Sequence, residues 1–172
     1  MKKRWLVYIL IGLVFGVFDF YYQIFIHNKF YYQLLGGLGR SLVWPILILG
    51  IWLVPIIPII LYEAKFSYSS WLPALASALT WSISVIGYYL TNAFQLAVVG
   101  VSSRPEMHIS NRNDPYFWMN WRGVFLDDLI VNNVEWMVIA VLGGTVIGIL
   151  LSFIYRRLKE VQQRRLRQFS IQ

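Results

Sequence analysis

The sequence predicts an all-α integral membrane protein: a bundle of four transmembrane helices with the N- and C-termini both cytoplasmic. Three observations predict it. Only 13% of the 172 residues are charged while 58% are hydrophobic, and the mean hydropathy is +0.58; a soluble domain carries about 25% charged residues. Four apolar stretches are each long enough to cross a hydrocarbon core of about 30 Å, which takes about 20 helical residues. Aromatic residues reach 17% of the chain, an excess suited to anchoring at two membrane interfaces. The stretches are too long and too uniformly apolar for the alternating strands of a barrel.

The first span is read over 5–26. It follows the basic start "MKKRW", a pattern shared with secretory leaders. The run is long, however, and contains Asp19 and the tyrosines Tyr8, Tyr21 and Tyr22. It ends in "QIFIHNKF" without a small-residue cleavage pattern, so it reads as a retained helix. At about 100° per residue, Tyr8, Gly12, Gly16, Asp19, Gln23 and His27 share one face. Gly12 and Gly16 would let another backbone approach, and the polar ladder above them would hydrogen-bond across helices.

The second span, 42–62, reads "LVWPILILGIWLVPIIPIILY". It has no charged or amide side chain. Pro45, Pro55 and Pro58 would bend or end it. It is expected to be the most lipid-exposed helix. The third span, 72–100, carries Ser77, Thr80, Ser84, Tyr88, Thr91 and Gln95 within an arc of about 80°, with Asn92 beside them. The fourth is read over 134–155, with an earlier start near Val124 left open. Ala140, Gly144, Gly148 and Ser152 place a small residue at every fourth position, a close-packing seam. Asp127 and Asp128 precede this helix, where carboxylates cap N-terminal donors and complement the dipole. Glu135 lies opposite Gly144.

Orientation follows from Lys and Arg, which favour the cytoplasmic side. Lys2, Lys3 and Arg4 open the chain; Arg156, Arg157, Lys159, Arg164, Arg165 and Arg167 close it. Lys65 lies in the 62–71 loop that this topology puts on the same side. Two loops then face outward, 27–41 and 102–133. The second opens turn-rich, "SSRPEMHISNRNDP", and continues as "YFWMNWRGVF", an amphipathic, interfacial segment with Trp118 and Trp121 at headgroup depth. It is read either as an anchored loop or as a lid over a site below. Residues 1–155 thus form the membrane domain and 156–172 a basic cytoplasmic tail, read as a C-terminal helix. The tail either attracts anionic lipid headgroups, at about 1 kcal/mol per charge, or only enforces topology. It lacks the interleaved base-reading side chains of a nucleic-acid binder.

An acid in mid-span costs about 2.5–3.5 kcal/mol on insertion scales. Apolar neighbours offset that cost for insertion, but they cannot satisfy the carboxyl group. The facing stripes of spans 1 and 3 can. Asp19, Gln23, Tyr88, Thr91, Asn92 and Gln95 are therefore the candidate polar cluster, in the outer half of the bundle, with Asp19 protonatable. Cys is absent, which excludes thiol nucleophiles and disulfides. No nucleophile elbow, zinc-protease motif or phosphate loop is present, so the reading leans away from an enzyme and implies no cofactor. His27 and His108 are weak metal candidates, since their spacing fits no metal motif. The favoured expectation is an accessory or assembly subunit of a cell membrane, by default a bacterial plasma membrane. Its partners would be the bilayer and another membrane protein or a second copy. The alternative is a small proton- or cation-coupled transporter using Asp19 in an outward-facing polar cleft.

Overall fold

A computed structural model describes residues 2–36, 43–67, 69–100 and 113–169. Every element among them is helical. In chain order they are α1 (Lys2–Gly36), α2 (Val43–Gly50), α3 (Leu53–Phe66), α4 (Trp71–Val98), α5 (Phe117–Val124), a π-helical segment (Phe125–Ile130) and α6 (Val131–Phe169). Three helical runs are long and apolar enough to cross a membrane: Lys3–Phe30, Trp71–Val98 and Phe117–Arg164.

The second apolar stretch departs from expectation. It is two helices, α2 and α3, joined by a turn at Ile51–Trp52. Trp52 N–H bonds Leu49 O at 3.2 Å and Val54 N–H bonds Ile51 O at 3.1 Å, a tighter pattern than the α-helical one. The sequence supplies the cause. Gly50 is a weak helix former, and Pro55 has no N–H with which to bond the carbonyl four residues back. Pro55 is tolerated at the third position of α3, where the N–H has no intrahelical partner anyway. Nor is this stretch the most lipid-exposed: Trp52, Pro55, Ile56, Ile59 and Ile60 are all buried.

Burial ranks the three long runs. The most apolar window is 67% buried in α4, 39% in α1 and 22% in the run containing α6. The central helix is α4, packed along α1, α6 and α3. Trp52 at the α2–α3 turn fills the space between them. Its ring lies 5.8 Å from Phe15 and stacks at 6.3 Å on Trp81.

Small residues permit these close crossings. A Cβ on Gly12 would sit 2.8 Å from Thr80 O, and one on Gly16 would sit 2.7 Å from Tyr88 N. On the other side of α4, a Cβ on Gly144 would sit 2.7 Å from Ala78 Cα, and one on Gly148 would sit 2.8 Å from Ser77 Oγ. Ser77 Oγ also donates to Gly144 O across that crossing. At the far end α4 stops where Gly100 takes a left-handed φ of 75° and its N–H returns to Gln95 O at 2.9 Å.

One end of the bundle gathers pieces of four helices. Arg4 at the start of α1 meets Glu63 near the end of α3 at 3.4 Å. Arg156 of α6 donates to Ser67 O at 3.1 Å and to Ser70 Oγ at 3.2 Å, in the link between α3 and α4. Ser69 Oγ accepts the Trp71 N–H at 3.2 Å, satisfying one of the first donors of α4.

Candidate functional site

Asp19 and Gln23 lie one turn apart on α1, on the face that Gly12 and Gly16 press against α4. Each is only 1% exposed. Gln23 donates Nε2–H to Asp19 Oδ1 at 3.4 Å, a long bond. Together with Ile48, Trp52, Val85, Tyr88, Tyr89 and Trp136 they line a cavity of about 10 Å³, close to the room one water molecule requires. Gln23 Oε1, buried, has no hydrogen-bond partner among the described residues. An acid, an amide and two phenols thus share a confined space walled by two indoles. Such a space can hold a proton or one small polar molecule and shields electrostatic interactions from bulk water.

Of the expected cluster, Asp19, Gln23 and Tyr88 come together. Asn92 is fully buried but donates to Tyr88 O within its own helix at 3.1 Å. Thr91 and Gln95 face the opposite side, a surface groove between α1 and α4 lined also by Leu13, Val17 and Phe94. There Thr91 bonds Gly87 O at 2.7 Å, and Gln95 donates to Tyr21 OH at 3.0 Å. The hydroxyl stripe of α4 is answered largely by its own backbone: Thr80 Oγ1 bonds Ala76 O at 2.9 Å and Ser84 Oγ bonds Thr80 O at 2.8 Å.

The other expected residues are spread over the bundle. Gly12 and Gly16 touch α4, as do Gly144 and Gly148; Ala140 and Ser152, on the same seam of α6, are fully buried. The small-residue faces therefore meet within the chain. His27 donates Nδ1–H to Gln23 O at 2.8 Å. His108 lies outside the described residues. No group of three His, Asp or Glu that could hold a metal occurs among the described residues. In the tail, Arg156 is held by Ser67 and Ser70 as above, and Arg157 lies 5.3 Å from the Phe153 ring and 3.9 Å from Glu160. Lys159 and Arg164 are exposed. The side chains of Arg165, Arg167 and Asp128 lie outside the described part.

Sequence reasoning missed five walls of the cavity: Ile48, Trp52, Val85, Tyr89 and Trp136. It also missed a second buried acid. Glu63, 3% exposed, accepts a 2.6 Å hydrogen bond from Tyr8 OH as well as its contact with Arg4. The sequence assigns Glu63 to a loop because the apolar run ends just before it. The usable signal is its spacing of four from Ile59 and seven from Ile56, which continues the buried stripe of α3.

Comparison of the chain with family models, with curated proteins and with solved structures returns no match. Fold and site together define a class: a chain whose described elements are all helical, with three helical runs long and apolar enough to cross a membrane and a buried acid–amide pair.

Proposed function

We propose that the chain is a small membrane subunit that works by binding another membrane protein or a second copy of itself, with the Asp19–Gln23 pair fixing how its helices pack. The observation that carries this reading is the burial of the pair, each member 1% exposed, beside a cavity of only about 10 Å³, room for little more than one water molecule. The internal bonding of the α4 hydroxyls points the same way. Since Gly12, Gly16, Gly144 and Gly148 are engaged inside the chain, a partner would meet the outward faces of α1 and α6, where Val14, Phe18, Phe25, Leu142, Val146 and Phe153 are exposed. The host is proposed to be a bacterial plasma membrane.

The same proposal includes four crossings with both termini cytoplasmic. End-to-end, α2 and α3 supply about 33 Å of helix at 1.5 Å per residue, enough for a broken span. The meeting of Arg4, Glu63, Ser67, Ser70 and Arg156 supports it: the 43–66 stretch must then return to the end from which α1 set out. The basic residues at that end favour the cytoplasm.

One observation favours transport as a second reading. The break between α2 and α3 places Ile48 and Trp52 against the buried acid, and broken helices beside midplane polar groups characterise transporter sites. Proteoliposome flux of protons and monovalent cations decides, with Asp19→Asn in parallel. The subunit reading expects no flux above empty vesicles for either protein, and photobleaching or cross-linking in lipid that reports association. Flux that Asp19→Asn abolishes would replace it with transport.

A further inference from the structure

A separate cleft opens at the end of the bundle where α3 stops and α6 leaves the apolar stretch. It has a volume of about 480 Å³ and is lined by Ala64, Lys65, Phe66, Tyr155, Arg156 and Lys159, among others. Three cations converge there against one carboxylate, Glu160, which lies 3.9 Å from Arg157. Among the described residues neither Lys65 nor Lys159 has an ion-pair partner. The Arg156 guanidinium is fixed by Ser67 O and Ser70 Oγ, which leaves the other N–H donors of its fork available to an anion. Lys65 Nζ rests 5.5 Å from the Phe66 ring centroid.

The position of the cleft selects the anion. Tyr155 is the last residue of the fourth apolar run and Arg156 the first of the basic run. Phe66 ends α3, and Tyr62 packs on it at 4.8 Å, both exposed. Aromatic walls beside cations at an apolar-to-basic boundary match headgroup depth in a bilayer. We infer that this cleft is a binding site for the phosphate group of an anionic phospholipid, held by Lys65, Arg156 and Lys159 with the acyl chains running along Phe66 and Tyr155. The site joins two helices distant in sequence, unlike a diffuse basic tail. It does not depend on how the Asp19 cavity is used.

The test uses the full chain purified in detergent and transferred to nanodiscs of zwitterionic phospholipid, with and without phosphatidylglycerol. Native mass spectrometry counts the retained anionic lipid. The Lys65→Gln/Lys159→Gln variant is compared with a charge-matched control, Lys3→Gln/Arg164→Gln, whose residues lie off the cleft. All four side chains are exposed, and circular dichroism verifies that both variants fold. The cleft variant should lose affinity for the anionic lipid by roughly tenfold or more, at the strength expected of two removed cations, while the control changes by less than about threefold. Equal losses in the two variants would overturn the site in favour of diffuse attraction. Added inorganic phosphate distinguishes the source. Failure to displace the lipid supports a headgroup site, and displacement without lipid preference would overturn the lipid as ligand and leave a free-phosphate site.

Discussion

Gly16 shows how little room single residues have. Any Cβ there would press on Ser84 O and Tyr88 N of α4, atoms of a backbone that cannot step aside. Gly16→Val is expected to lose about 1–3 kcal/mol from overpacking, read as a lower unfolding temperature in detergent. Gly123→Ala, in α5, where a Cβ meets nothing within 4 Å, should leave it unlowered or raise it slightly, since alanine is the better helix former. Asp19 is a different case, because its neighbours depend on its chemistry. Asp19→Ala removes the acceptor of a buried amide and should cost about 1–3 kcal/mol. Asp19→Asn, which keeps shape and a carbonyl oxygen, should cost less. If the two substitutions prove equally mild, the acid has no part in holding α1 to α4. The glycines and Asp19 were legible in the sequence because helical spacing alone puts them on one face. Thr91 and Gln95 were misplaced because an arc of about 80° on α4 spans the seam with α1 and the groove outside it.

At the scale of elements, α3 owes its place to a contact that no local pattern announces. Tyr8 and Glu63 are 55 positions apart, and they tie the short α3 to the start of α1, with Arg4 completing the group. Tyr8→Phe and Glu63→Gln should therefore be strongly non-additive. A double-mutant cycle in detergent is expected to give a coupling of about 1–2 kcal/mol, and additive losses would dissolve the tie. The break between α2 and α3 was half legible: Gly50, Pro55 and Pro58 warn of a defect. That the defect would be buried was not legible. Trp52 owes its burial to Phe15 and Trp81, residues on two other helices. The run Phe117–Arg164 begins earlier than the optional start near Val124 and takes in the aromatic segment expected as a separate interfacial piece. Its π-helical segment absorbs the junction between the aromatic helix α5 and α6, where Trp121 stacks on Phe125 at 5.0 Å and reaches Ala93 O at 3.4 Å.

For the whole molecule, the natural absence of cysteine permits a direct test of topology. Single cysteines at Lys3, Ser69 and Gln163 should label from one side of a sealed membrane, and one at Asn113 from the other. A cysteine at Ser69 that labels with Asn113 instead would remove the four-crossing arrangement. The order of burial, α4 before α1 before α6, also sets where associations can occur. The lightly buried α6 and the outer face of α1 offer the most surface, while α4 is the most buried of the three.

By itself the sequence determined the properties that composition and period control: an apolar helical chain, the long runs that can cross a bilayer, the two glycine seams, and an acid on a helix face that packs inward. These are local properties, since hydrophobic content and 3.6-residue spacing act within one helix. The tertiary structure alone decided which helix is central, that the second apolar stretch folds as two helices with the turn packed inward, and that Asp19 shares a cavity with Ile48, Trp52 and Trp136. It also decided that Glu63 is buried and that Lys65 and Arg156 share a cleft. Those outcomes depend on which surfaces meet. In a chain whose helices are apolar nearly all round, the choice rests on shape and a few hydrogen bonds between distant residues rather than on any periodic signal.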